Sequence, residues 1–260
     1  MCLIVFSYKT HPTYKLILAA NRDELYERPT RAAQFWNEEG FPDILAGKDL
    51  KANGTWMGIS KSGKWGALTN YRDPKNIKEN APTRGRLVLD FLKSEVSGKE
   101  YVSEVKNEAK EYNGFNLLLG EKDKLLHYSN ESDQITEVSP GVHGVSNALL
   151  DTSWPKIDQA KQELKKVTSS EKFDKEELFQ ILKNPEKAPD DKLPSTGIPY
   201  EWEKAISSIF IKTDNYGTLC STLLLIDYDG NAAFTERRYD AESSEIVEEN
   251  TFSFSFSKLF

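Results

Sequence analysis

The 260-residue chain carries 34 Lys and Arg against 41 Asp and Glu, a net charge of −7, which excludes a polybasic nucleic-acid binder working by bulk attraction. Its 13 Phe, 11 Tyr and 5 Trp exclude a disordered polymer, and a chain of this length buries roughly three quarters of its unfolded surface, so the core needs no disulfide or metal staple. Only Cys2 and Cys220 occur, and neither has a Cys-x-x-Cys or Cys/His spacing, so a reducing cytoplasm fits and no structural zinc is expected.

The start, Met1-Cys-Leu-Ile-Val-Phe-Ser7, lacks a basic region and ends its apolar run at Phe6, too short for a signal peptide or a membrane span. Residues 3–6 and 14–20 are continuous apolar runs of strand length joined by a polar turn, which predicts a hairpin covered on both faces. Asn21-Arg-Asp-Glu24 is expected to end the second strand. Further strands are predicted at 43–46, 54–60 and 64–70, the last two joined by a short hairpin turn.

From Arg84 the period changes. Leu87, Val88, Phe91, Leu92 and Val96 lie at helical spacing, and Tyr101, Val105, Ala109 and Tyr112 repeat it after Gly98, predicting two helices. Strands return at 115–119, 124–128 and 135–138. A second helix pair is signalled by Ser153 as N-cap with Pro155 behind it, and by Asp174. Residues 184–199 hold four prolines and read as a loop. Strands are expected at 206–211, 218–226, 232–236 and 252–256. Roughly ten strands in consecutive hairpins with helices inserted in pairs favour antiparallel sheets with helices outside, an α+β fold for which a four-layer αββα sandwich is one solution. No repeat or composition break divides the chain, so one domain over 1–260 is expected.

Several motifs fail on inspection. Gly58-Ile-Ser-Lys-Ser-Gly-Lys64 begins like a phosphate-binding loop, but Trp65 stands where a hydroxyl is required and a strand follows. Gly144-Val-Ser-Asn-Ala148 approaches a nucleophile elbow without the helix behind Ser146. His11, His127 and His143 have no metal-ligand spacing, so neither a metal nor another cofactor is predicted.

The constellation that survives is at the N-terminus. Removal of Met1 would give Cys2 a thiol and an α-amine on one residue, and the amine, with an ordinary pKa near 7.7–8.0, can act as general base toward its own thiol. The plain alternative is that Cys2 is a small apolar residue opening a buried strand. Arg22 and a carboxylate at Asp23 would favour the thiolate and hold the ammonium. On a continuing strand, however, those two side chains point to opposite faces, so both serve Cys2 only if the chain turns there.

Met1-Cys2, Leu18-Ala-Ala-Asn-Arg-Asp-Glu24, Arg28-Pro-Thr30, Leu45-Ala-Gly-Lys-Asp-Leu50, Gly54-Thr-Trp-Met-Gly58, Leu68-Thr-Asn-Tyr-Arg72, Arg84-Gly85, Gly144-Val-Ser-Asn147 and Tyr216-Gly-Thr218 with Ser221-Thr222 together resemble the NRDE family, also called the transport and Golgi organisation protein 2 family. That resemblance implies an αββα fold like the N-terminal-nucleophile (Ntn) hydrolases. More distantly the layout is similar to cysteine Ntn amidases. The likeness implies Cys2 as nucleophile, Arg22 and Asp23 as its tuning and holding groups, and Asn70 and Asn147 as oxyanion-hole donors. Asn21, Trp56 and Arg72 are candidate substrate contacts, although the Trp56 segment also suits a tight turn with a buried indole. Arg28 and Arg84 are as readily salt-bridge or helix-cap residues as ligands. Two departures stand out: Arg22 and Asp23 are adjacent where the amidases space them by two residues, and Leu219 follows Tyr-Gly-Thr where relatives often carry Arg. The implied function is a cysteine amidohydrolase acting on a small-molecule amide through a thioester. Its alternative is a non-catalytic carrier for haem or an acyl compound. No nucleic acid or stable membrane insertion is expected, and a homo-oligomer is compatible with the sequence.

Overall fold

The computed structural model describes residues 2–256. Among them the chain forms two antiparallel sheets flanked by helices. The first sheet takes β1 (Cys2–Tyr8), β2 (Tyr14–Leu25), β10 (Gly141–Val145), β11 (Tyr216–Asp227), β12 (Asn231–Tyr239) and β13 (Ile246–Ser255) in the order β10-β1-β2-β11-β12-β13. The second runs in chain order through β3 (Thr30–Trp36), β4 (Phe41–Asp49), β5 (Met57–Ser60), β6 (Trp65–Asn70), β7 (Phe115–Glu121), β8 (Lys124–Ser129) and β9 (Gln134–Glu137).

The continuous apolarity of β1 and β2 has the expected cause. Period two sends Ile4, Phe6, Leu16 and Leu18 into the layer between the sheets, where they meet Leu45, Ile59, Ala67 and Leu118. Leu3, Val5, Ile17 and Ala19 face the other way, onto α3 (Pro155–Val167) and α4 (Lys175–Leu182). The outer face of the second sheet is covered by α1 (Gly85–Lys93) and α2 (Gly98–Glu108) through Val88, Phe91, Leu92 and Val102. The layers are therefore αββα, as the order of elements predicts.

Several elements differ from the sequence reading. The β2 strand does not end at Asn21 but continues to Leu25, paired on one side with β1 and on the other with β11. The cap of α3 is Trp154, and the Ser153 hydroxyl instead donates to the Asp158 carboxylate. The apolar run 206–211 is buried but is not a strand; it follows a short helix, α5 (Tyr200–Ala205), that the pattern did not reveal. Its backbone groups are met one by one rather than by a ladder. The Ile209 carbonyl accepts from Asn21, the Ile206 carbonyl from Lys156, and the Ile211 amide donates to the Thr218 hydroxyl. The strands β3 and β10 were also not expected. No described helix is long and apolar enough to cross a membrane.

Candidate functional site

Strand register sets the site. Cys2 lies opposite Arg22, Arg22 opposite Cys220 on its other side, and Cys220 opposite Arg238. A row alternating thiol and guanidinium thus crosses four strands. Cys2 and Arg22 share the face of Ile4 and Ala20, which looks toward the second sheet. Asn21 and Asp23 share the opposite face, toward α3 and α4. Because β2 does not turn, the sequence expectation that Arg22 and Asp23 both approach Cys2 with their side chains requires correction. The β11 partner is irregular between Thr218 and Cys220, so Leu219 is an extra residue opposite the Arg22–Asp23 step, the geometry of a bulge.

Arg22 is 5 % exposed, and its guanidinium stacks 4.3 Å from the Trp56 ring centroid. Its nearest carboxylate, Glu24, is 3.9 Å away, beyond hydrogen-bond reach. Nη1 of Arg22 makes no hydrogen bond among the described residues. Trp56 can lie there because Gly47 has no side chain: a Cβ at Gly47 would stand 2.4 Å from the indole. Half-buried Cys2 has its carbonyl held by the Ser146 hydroxyl at 2.9 Å, which gives the failed elbow serine a scaffold role. Burial pushes the Cys2 thiol above its ordinary value, opposed by the positive charge of Arg22 and a hydrogen bond from the Asp23 backbone amide.

Beneath the sheet, Asp23 is buried and accepts from the Thr218 hydroxyl at 2.7 Å, while the Tyr216 hydroxyl donates to its carbonyl at 3.0 Å. The Tyr-Gly-Thr segment thus anchors Asp23. Burial raises the Asp23 carboxyl above the usual range, and the neighbouring Lys156 ammonium counteracts it. Lys156 sits in the first turn of α3, is 4 % exposed and donates to the Ile206 carbonyl at 3.2 Å. Burial brings it down to about 8, with Asp23 pulling it upward. The sequence reading missed Lys156, although its spacing of four to Ala160 and eight to Leu164 places it on the buried stripe of α3.

The other predicted residues divide between cleft and scaffold. Asn70 ends β6 and lines the cleft beside Cys2. Asn147 does not line that cleft: its amide donates to the Asn70 carbonyl at 2.8 Å, and its Oδ1 accepts from Ser146 at 3.3 Å and Arg72 at 3.4 Å. Arg72 is ion-paired to Glu203 at 2.7 Å and lies 5.0 Å from the Trp154 ring centroid, away from Cys2. The Asn21 amide donates to the Leu182 and Ile209 carbonyls at 2.8 and 2.9 Å, and its Oδ1 accepts from Ser221 at 2.6 Å. Asn21 and Arg72 thus bind elements of the protein rather than face the cleft.

The cleft has a cavity volume of about 420 Å³. Cys2, Arg22, Trp56 and Asn70 line it together with Arg28, Asp49 and Arg84. Arg28 is a salt-bridge residue, 2.7 Å from Asp49 and 3.7 Å from Glu24. Arg84 occupies the N-cap position of α1. It makes no side-chain cap to α1 and has no ion pair among the described residues, and its Nη1 donates to the Gly114 carbonyl at 2.8 Å. No cluster of His, Cys, Asp and Glu that could hold a metal ion occurs among the described residues. This cleft can present a thiol, two guanidiniums, an indole and a carboxamide to a small molecule.

Known proteins share this plan. The family model for Transport and Golgi organisation 2 matches residues 1–241. The mouse Transport and Golgi organization 2 homolog is 37 % identical, covering 98 % of this chain and 99 % of its own. The bovine homolog is 40 % identical over 91 % of this chain and 92 % of its own. Among solved structures, a Caenorhabditis elegans N-acylethanolamine-hydrolyzing acid amidase ortholog superposes with a TM-score of 0.52 at 12 % identity, covering 86 % of this chain and 92 % of that one. The C2A mutant of the Clostridium perfringens conjugated bile acid hydrolase gives 0.50 at 11 % identity, covering 99 % and 98 %. At such identities the two structures speak for the fold, which is Ntn-hydrolase-like. The end-to-end sequence match decides the family: the chain belongs to the Transport and Golgi organisation 2 family.

Proposed function

We propose that the protein is a cysteine Ntn amidohydrolase that cleaves a linear amide through a thioester. The observation that carries this reading is Cys2 opening β1 at the cleft, directly opposite Arg22, whose Nη1 is free of hydrogen bonds among the described residues. The fold neighbours, described as an amidase and a bile acid hydrolase, are what suggests an amide as substrate.

In this mechanism Met1, which lies outside the described residues, is removed first. The freed α-amine takes the thiol proton, and the thiolate attacks the amide carbon. Asn70 donates to the developing oxyanion, a contribution of about 3–4 kcal/mol for one such donor. Asn147 acts through Asn70, holding its main chain. Collapse breaks the C–N bond, the ammonium of Cys2 returns its proton to the leaving amine, and water then hydrolyses the thioester. Arg22 favours the thiolate against the burial that disfavours it.

Cys2→Ala is expected to abolish turnover of acyl amides while leaving the unfolding midpoint nearly unchanged, with intact mass establishing Met1 removal in the parent. Equal turnover in the variant would sink the proposal. One observation favours the carrier reading: the Asn147 amide is already spent on the Asn70 carbonyl, leaving fewer donors for an oxyanion than the resemblance implies. A carrier for an acyl compound or haem would show no turnover and saturable binding that survives Cys2→Ala.

A further inference from the structure

Four cationic side chains, Arg22, Arg28, Lys51 and Arg84, line the Cys2 cleft of a chain whose net charge is −7. Three acidic residues, Asp23, Glu24 and Asp49, line the cleft too, so the balance turns on which cations they pair with. Arg28 spends its charge on Asp49 and Glu24. Arg84 does not: one N–H goes to the Gly114 carbonyl, and no carboxylate pairs with it among the described residues. A guanidinium withdrawn from water without a counter-ion is costly unless something else supplies the negative charge. Burial accordingly depresses Arg84, with Cys2 and Glu24 acting in the opposite sense.

Two further features point into the same space. Arg22, 5 % exposed, lines the cleft, and its buried Nη1 has no hydrogen-bond partner among the described residues. The N-terminus of α1, at Gly85, also lines the cleft, and it has neither a side-chain cap nor an acidic residue in its first turn. Helices ordinarily place carboxylates there to answer the exposed amides and the positive end of the dipole. Two planar donor forks and an uncapped helix end around one cavity match the geometry of a carboxylate or phosphate better than that of a neutral polar group.

We propose that the cleft selects amides carrying an oxyanion, a carboxylate or a phosphate, that is seated by Arg84 with the Arg22 guanidinium as second positive charge. The inference rests on the reading of this cleft as an amide site. Lys51 stands at the exposed rim and adds attraction that salt screens, whereas Arg84 supplies directed hydrogen bonds.

The test is calorimetric titration of the full-length Cys2→Ala protein, in which binding is read without turnover. Three probes share one acyl chain: N-lauroylglycine, N-lauroylethanolamine and its O-phosphate. The carboxylate or phosphate amide is expected to bind at least about tenfold more tightly than the neutral one. Adding Arg84→Gln, which keeps a donor for the Gly114 carbonyl, should erase that gap by weakening the charged probes far more than the neutral one. Arg84→Lys, which keeps the charge and loses the fork, should retain part of the gap and serves if the Gln variant fails to fold. The tighter of the two charged probes identifies the oxyanion. Equal affinity for charged and neutral amides in the parent, or a preference that survives Arg84→Gln, overturns the inference while leaving the amide site standing. Absence of binding by all three probes overturns both.

Discussion

Arg22 and Arg72 are built from the same two parts, a buried guanidinium laid on an indole, and they do opposite work. Arg72 sits 5.0 Å from the Trp154 ring centroid with Glu203 at 2.7 Å, and Arg22 sits 4.3 Å from that of Trp56 with Glu24 no nearer than 3.9 Å. Stacking on an aromatic face is common to both, so it cannot separate scaffold from site. The carboxylate does. Where it is in contact, the pair pins α5 to the end of β6; where it is not, one guanidinium nitrogen is left without a partner among the described residues.

The strongest way to break that contrast is to remove each carboxylate in turn. Glu203→Ala leaves Arg72 charged and buried and is expected to cost about 3–5 kcal/mol. Glu24→Ala removes two long, partly exposed contacts, to Arg22 and to Arg28, and should cost under about 1 kcal/mol. Urea denaturation of the two variants measures the difference, and comparable losses would show that Arg22 is as firmly paired as Arg72.

Glu236 sharpens the contrast from the other side, as a buried carboxyl without a close cation. It bridges the sheets by accepting the Ala33 amide at 2.7 Å, and burial raises it to about 7 from an ordinary 4.5. Below pH 4.5 the group is neutral in both folded and unfolded chains. Between about 4.5 and 7 only the unfolded chain ionises, so this group's contribution to stability falls as pH rises and levels off above 7. The full swing is roughly 3 kcal/mol at most. In Glu236→Gln that part of the pH dependence should vanish and stability at pH 8 should exceed the parent's. Urea midpoints at pH 5 and 8 check it, and an unaltered difference between them would refute it.

A further expected effect concerns the indole rather than the charge. Gly47→Ala sets a methyl 2.4 Å from Trp56, forcing the ring off Arg22 at about 1–3 kcal/mol, the usual range for overpacking. Tryptophan emission should shift as the indole moves. If emission and the unfolding midpoint are both unchanged, the close approach of Trp56 to β4 is not what seats Arg22.

The layers were legible in the sequence because apolar runs of strand length alternate with stretches of period 3.6: β1, α1 and α4 lie where those patterns put them, and β2 begins where its run does. The missed elements carry weak signals for physical reasons. Strand β10 contains two glycines and a histidine, α5 is too short to show a period, and β3 breaks its alternation at adjacent buried Ala32 and Ala33. The 206–211 run fails as a strand because Asn21, Lys156 and Thr218 take over its hydrogen bonds, a tertiary arrangement that no local pattern encodes. At the site, the opposite faces of Arg22 and Asp23 follow from strand period alone. The commitment of Asn147 and Asn21 to backbone carbonyls does not, and neither does the lack of an ion pair at Arg84 among the described residues. Those depend on what elements distant in the chain bring into contact.

The row Cys2, Arg22, Cys220 also fixes how the protein meets oxidants. A whole strand lies between the two thiols, placing their Cα atoms two ladder spacings, roughly 10 Å, apart, beyond the roughly 7 Å that a disulfide can span. Cys220 is buried as well. A sulfenic acid formed at Cys2 therefore has no resolving thiol within the fold, and its recovery depends on thiols supplied from outside.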